Sequence, residues 1–310
     1  MPRFSIIISV YNKEGFIKKT IESALNQSIT DYEIIIVNDA STDGSTTIIQ
    51  SIDSPKIKYH AFAKNKGAAA ARNKGIELAT GNYLAFLDGD DLWDKDFLAE
   101  NNSLISNFPD HKVFATAVII QEHDGKRSSR YSVSNPNNKE QLSLNYFEAS
   151  LKNTILTSSS AVIERSVFDK TGTYDTSIKS GQDTDLWIRI GVDHRVAFST
   201  KEYVTYSFAP VSLYKSIKTV NDRPKFEAYK TLEKDNKALK KFLDLNRFSL
   251  AIRAKIWKEP KEAQFFIDRI NTNNLSKKQS FLLSLPAPII RLLFFIKKQL
   301  EKLGIRLSVY

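Results

Sequence analysis

Residues 83–91 read Tyr-Leu-Ala-Phe-Leu-Asp-Gly-Asp-Asp, five apolar or aromatic positions that end abruptly in three carboxylates within four residues. A short, continuous apolar run of this kind suits a strand buried on both faces. Three adjacent like charges repel, so they are costly unless solvated or shared with a cation. Hard carboxylate oxygens suit magnesium or manganese, which one or two acidic side chains hold while phosphates and water complete the shell. The plainer reading is a solvated acidic turn, or a helix N-cap ahead of Leu92, and it suits Asp91 better than Asp88 or Asp90.

On the N-terminal side the same pattern recurs. Residues 4–10 and 33–37 are apolar, β-branched runs that read as strands. Between them Ile17, Ile21, Ala24 and Leu25 recur at helical spacing, with Lys18, Lys19 and Glu22 on other faces. Residues 56–62 make a third strand and 67–78 a second helix. Strand and helix therefore alternate, which predicts an α/β fold with a mostly parallel central sheet, flanking helices, and ligands at the carboxyl ends of the strands. Further on, 113–120 and 155–163 read as strands, with a polar loop around 124–138 that suits an acceptor lid. Residues 224–258 turn helical, and Pro286 with Pro288 precede a last helix over 289–303. The expected division is a domain of residues 1–215 and a helical, basic C-terminal region of 216–310.

Three more polar clusters fall at strand or helix ends. Asn38-Asp39-Ala40-Ser41-Thr42-Asp43-Gly44-Ser45 follows the second strand. A carboxylate there can accept from a ring N–H of a nucleobase, although a turn with an N-cap at Asp43 or Ser45 accounts for the cluster equally well. In Asn65-Lys66-Gly67, running through Ala68–Ala71 to Arg72-Asn73, small residues allow a helix close to the sheet, and Arg72 on its first turns suits a phosphate-bearing ligand. An Ala-rich helix start needs no ligand. Ser180-Gly181-Gln182-Asp183-Thr184-Asp185-Leu186 reads as a helix start whose Asp183 serves either as a cap or as a general base.

Composition narrows the classes. The chain of 310 residues is 42% hydrophobic and 26% charged, as expected of a globular protein with a sizeable core. It has no cysteine, which excludes disulfides, zinc thiolates and thiol nucleophiles and fits a reducing compartment. The start, MPRFSIIISVYN, shows no signal-peptide pattern, so a cytoplasmic protein is expected. Of the net +10, residues 1–200 contribute 22 Lys+Arg against 25 Asp+Glu, and 201–310 contribute 23 against 10. The basic excess is thus C-terminal and implies either nucleic acid or an anionic membrane surface as a partner. No recognised nucleic-acid motif accompanies it. The first strand–helix turn, residues 10–16, lacks G-x-G-x-x-G, which argues against a dinucleotide-dependent oxidoreductase.

In order, SIIISVYN, EIIIVNDASTDGS, NKGAAAARN, YLAFLDGDD and TYDTSIKSGQDTDLWIR resemble glycosyltransferase family two, from Ser5 to about Phe208. The resemblance implies the Rossmann-like GT-A fold and a metal-dependent, inverting transferase. Such an enzyme moves a hexosyl or N-acetylhexosaminyl group from a nucleotide diphosphate sugar, UDP by analogy, during polysaccharide, lipopolysaccharide or capsule synthesis. It also implies that Asp39 contacts the base, that Val10, Tyr11 and Asn12 line the same pocket, and that Arg72 lies near the nucleotide. Asp88 and Asp90 look like the DxD motif for Mn2+ or Mg2+, with Asp90 the metal ligand and Asp88 nearer the ribose. Asp183 matches the catalytic base. Gln182 stands where the family often has Glu, so a charge that would help position the acceptor is missing. His194 has no evident metal-ligand role and is read as structural. The rival from another class is a catalytically silent sugar-nucleotide-binding or scaffold protein at the membrane, against which the intact Asp88, Asp90 and Asp183 argue.

Residues 281–296 are strongly apolar but broken by Pro286, Pro288 and Arg291, and bilayer spans need about 20 apolar residues. Ile289, Leu293, Ile296, Leu300 and Leu303 form a helical stripe, with Arg291, Lys297, Lys298 and Lys302 available to lipid phosphates. This pattern suits a peripheral, interfacial helix at the inner face of the cell membrane, where a saccharide or lipid-linked saccharide acceptor would be met. A helix packed on the protein, or a dimer contact, fits the stripe as well.

Overall fold

The computed structural model describes residues 1–122, 125–135, 137–207 and 217–302. The chain divides into two compact units, Met1–Pro210 and Val211–Tyr310.

The first unit opens with β1 (Phe4–Val10), α1 (Ile17–Leu25), β2 (Tyr32–Asn38), α2 (Ser45–Gln50), β3 (Ile57–Ala61), α3 (Ala68–Leu78) and β4 (Tyr83–Asp88). β1 and β2 are almost wholly buried, as their apolar centres Ile6–Ile8 and Ile34–Val37 require. β1 pairs in parallel with β2 and β4, and β2 with β3, giving the order β3-β2-β1-β4. The chain winds outward from β1 to β3, then returns to the other side of β1. That reversal puts the carboxyl ends of β1 and β4 at a switch point, where open α/β sheets bind ligands. In register, Ser9 lies beside Asp88.

The sheet continues through β5 (Leu92–Trp93), α4 (Phe97–Asn107), β6 (Val113–Glu122), β7 (Gly125–Ser128), β8 (Gln141–Leu144), α5 (Tyr146–Ala149), β9 (Ala161–Glu164), α6 (Ser166–Thr171), α7 (Gln182–Asp193) and β10 (Val196–Ser207). β9 is antiparallel to both β4 and β6, β10 is parallel to β6, and β5 closes the far edge.

Two expectations are corrected. The strand over 155–163 is confined to Ala161–Glu164, because the preceding residues 158–160 form a turn whose serine hydroxyls bond to the site and to the turn itself. The region 124–138 is not simply a loop: β7 pairs antiparallel with β6. Asp124 and Pro136 lie outside the described residues.

α3 lies close on β1. A Cβ built on Gly75 would fall 2.3 Å from Ile7 Cγ2, so only glycine fits there. Below the sheet, Glu33 is buried and its Oε1 accepts from Ser5 Oγ, Thr80 N and Thr80 Oγ1, each at 2.7 Å, while Lys58 Nζ lies 2.5 Å from Oε2. Burial raises the Glu33 pKa, but these bonds outweigh it and hold the carboxyl at about 2, against an ordinary 4.5. A depressed acid stabilises the fold above its unfolded pKa and ceases to as pH falls through the folded one. In urea unfolding, the advantage of wild type over Glu33→Gln should shrink towards zero as pH is lowered from neutral to about 2. A constant gap would refute this.

The second unit contains α8 (Leu232–Asp235), α9 (Lys237–Trp257), α10 (Pro260–Ile267), α11 (Lys277–Ser284) and α12 (Ala287–Lys302), with short 3-10 turns. Asn236 caps α9 by accepting from Leu239 N, and Pro260 opens α10. Asp244 and Arg247 are buried, and Arg247 Nη1 lies 2.6 Å from Glu233 Oε2 and 3.4 Å from Asp244 Oδ1. A capping box between Ser276 and Gln279 starts α11. Leu303 of the expected stripe, and the Lys302 side chain, lie outside the described residues.

Candidate active site

The acidic end of β4 is the centre of the site. Asp88 Oδ1 accepts from Arg72 Nη2 at 2.6 Å, and Arg72 Nη1 lies 3.3 Å from Asp183 Oδ1. Residues from α3, β4 and α7 therefore meet around one guanidinium. Arg72 is buried, and the ring of Tyr174 lies 5.3 Å from it. Asn73 pins that tyrosine by donating from Nδ2 to Tyr174 O at 2.8 Å and accepting Tyr174 N at 2.9 Å. Burial works against the Arg72 charge, but Asp183 and Asp88 more than offset it and raise its pKa.

Asp183 sits in the first turn of α7, whose preceding Gly181 has φ 86°. Its Oδ1 accepts from Ser158 Oγ at 3.2 Å, while Oδ2 takes no hydrogen bond from the described residues. The side chain is 38% exposed, so the carboxylate is not sealed from solvent. Burial pushes the Asp183 pKa up, Arg72 pulls it down and Asp88 adds to the rise, for a net upward shift from the ordinary aspartate value. Such a group is the better base at neutral pH.

Asp90 Oδ2 lies 2.5 Å from Lys13 Nζ, and Lys13 is set by its own backbone N–H donating to Ser45 Oγ at 2.8 Å. Burial, and secondarily Asp88, raise the Asp90 pKa against the pull of Lys13. Asp91 departs from the expected solvated turn or helix cap. Leu92–Trp93 is a strand, and Asp91 is 1% exposed. Its Oδ2 accepts from Ser159 Oγ at 2.5 Å and its Oδ1 from Ser207 N at 2.9 Å. Burial and the neighbouring Asp88 and Asp90 push its pKa well up. Ser159 Oγ also accepts from Asp88 N at 3.1 Å, so one serine steadies two members of the acidic run.

The pocket-lining residues lie beside this centre. Val10 is 1% exposed and its carbonyl accepts Asp39 N at 2.8 Å, so only its backbone faces the strand ends. Tyr11 is exposed, and Asn12, at φ 51°, accepts Thr42 N through Oδ1 at 2.8 Å. Asp39 is buried, with Oδ1 accepting from Lys66 N at 2.6 Å and Oδ2 from Gly67 N at 2.8 Å. Gly67 has φ 90°, which suits glycine. Asp39 thus ties the end of β2 to the start of α3, and each oxygen keeps a second lone pair for a ligand.

Among the described residues no group of three His, Cys, Asp or Glu is poised to hold a metal. Asp88 and Asp90 are two carboxylates of the kind with which magnesium or manganese joins substrate phosphates; in this structure Arg72 pairs with the first and Lys13 with the second. Lys13, Ser158, Ser159 and Tyr174 are contributors that sequence reasoning did not single out, and Asp91, read there as a turn or cap, is a buried part of the site. A hint for two of them was the run of three serines inside the apolar 155–163 stretch.

The first unit is thus an α/β protein with acidic residues at the switch point of its sheet and a further acid at the head of a later helix. Residues 5–172 match glycosyl transferase family 2, and the chain belongs to that family. It is 35% identical over 192 residues to TuaG of Bacillus subtilis (strain 168), named for teichuronic acid biosynthesis, which covers 61% of this chain and 72% of that one. An uncharacterized glycosyltransferase of Rickettsia conorii is 31% identical over 208 residues, 64% of this chain and 32% of that one. The fold is similar to S. aureus TarS 1-349 in complex with UDP-GlcNAc, at a TM-score of 0.67 and 17% identity over 98% of this chain and 92% of that one. The same TarS fragment with UDP gives a TM-score of 0.64 at 18% identity, over 97% and 92%. The protein is a glycosyltransferase.

Proposed function

We propose that this enzyme transfers a sugar from a uridine diphosphate sugar to an acceptor hydroxyl, with inversion, in the assembly of a bacterial polysaccharide. The observation that carries the reading is the buried Arg72 standing between Asp88 and Asp183, two partly exposed acids that we take as the nucleotide-side acid and the base. Two structures of similar fold hold UDP-GlcNAc and UDP, and TuaG is named for a polysaccharide pathway.

Asp183 takes the proton from the acceptor hydroxyl through its open oxygen. The acceptor oxygen bonds to the anomeric carbon as the carbon–phosphate oxygen bond breaks, and that electron pair leaves with the diphosphate. No side chain becomes covalently attached, so the lack of cysteine costs nothing. Arg72 favours the ionised form of Asp183, and Arg72 and Ser158 together hold its Oδ1. Asp88 and Asp90 would hold Mn2+ or Mg2+, which would neutralise charge growing on the departing diphosphate. Asp39 and the Tyr11–Asn12 turn receive the base. The acceptor is a saccharide hydroxyl, free or lipid-linked.

A screen of nucleotide sugars for manganese-dependent hydrolysis or transfer tests the reading. Turnover of one or more UDP-sugars, stopped by chelator, is expected. Failure of every nucleotide sugar to bind would leave the silent-scaffold alternative standing.

A further inference from the structure

In α12, Ile290 is buried and Arg291 Nη1 donates to Lys255 O at 3.3 Å, so one narrow face rests on α9. The rest does not. Leu292, Leu293, Phe294, Phe295 and Ile296 are five consecutive apolar residues that are 44–58% exposed, and Ile289 is 42% exposed. α11 meets α12 at a bend of 118° and adds Phe281, 63% exposed. Lys255 Nζ holds the corner by donating to Leu285 O at 2.8 Å. Scattered apolar residues are normal on soluble surfaces, but a contiguous patch of this kind marks an interaction site. Residues 277–302 carry six Lys or Arg and a single Glu, so the greasy wedge is embedded in positive charge.

We infer that α11 and α12 form a wedge that inserts into the interface of an anionic lipid bilayer. Positive charge complements acidic headgroups, and the aromatic and aliphatic side chains enter the acyl boundary. α12 has 16 residues, and its length of about 24 Å falls short of a roughly 30 Å hydrocarbon core. Lys297 and Lys298 follow directly on the apolar run, which keeps that end at the headgroups. No single described helix is long and apolar enough to cross, and the α11–α12 pair that together is long enough is bent by 118°, so the wedge lies in the plane of the surface. This inference stands apart from the sugar-transfer reading, because it uses none of the site residues.

Sedimentation of the full chain with phosphatidylglycerol/phosphatidylcholine vesicles, and with phosphatidylcholine alone, tests the wedge. Wild type should pellet with the anionic vesicles and be released by about 1 M salt. Leu292→Ser/Phe295→Ser should bind about tenfold or more weakly, and Lys298→Glu should weaken binding to anionic vesicles. Circular dichroism melting of each variant separates surface loss from misfolding, since all three positions are exposed. Equal pelleting of the double variant overturns the inference. So does a wild type that ignores anionic vesicles while sedimenting as a dimer that Leu292→Ser/Phe295→Ser converts to monomer, which would assign the patch to a second copy of the chain.

Discussion

Asp183→Asn is expected to lower transfer by about 10²- to 10⁴-fold, the usual contribution of a positioned base, while leaving donor affinity within a few-fold of wild type. The substitution keeps the shape of the side chain and its bond from Ser158, so packing of α7 should survive. What it removes is the proton acceptor at Oδ2. Because burial raises the Asp183 pKa, wild-type activity should fall on the acid side, at a pH above the ordinary aspartate value, as the group becomes protonated. The measurements are steady-state kinetics with a UDP-sugar and its acceptor over pH, alongside calorimetry for donor binding. An Asn variant with full turnover would remove Asp183 from the mechanism.

Asp90→Ala is expected to abolish the part of donor affinity that depends on manganese, with residual binding becoming insensitive to chelator. In the free protein the Asp90 carboxylate is neutralised by Lys13, and in the complex it would serve the diphosphate-bound cation instead. Calorimetry of UDP binding with and without manganese measures the difference directly. If wild type binds UDP equally in both conditions, the metal reading fails while the base reading stands, since Asp183 has its own contacts through Ser158 and Arg72.

The parallel half of the sheet was readable because each of its central strands is a local apolar run buried on both faces. Phe4–Val10 is an instance in which every apolar residue of the strand is buried. Asp88, Asp90 and Asp183 were found because carboxylates stand out at the end of an apolar strand or helix start. The bridge that unites Asp88 with Asp183 was not readable: Arg72 was placed on its helix, but its two partners come from β4 and α7, and only the folded topology brings them together. Lys13 escaped for the same reason, since its partner is 77 positions away. Residues 158–160 misled because serines within an apolar stretch look like a tolerated strand interior, whereas their hydroxyls serve Asp91, Asp183 and the turn itself.

Gly75 and Arg72 are three residues apart on one helix and so share a face. The absent side chain at position 75, where a methyl would collide with Ile7, sets how deeply α3 settles on the sheet. It thereby sets how far the guanidinium reaches towards its two acids. The spacing of charges at the mouth of the enzyme is dictated from below by a hydrogen atom in the hydrophobic interior, so a variant that touches neither substrate nor any polar group could still detune the reaction.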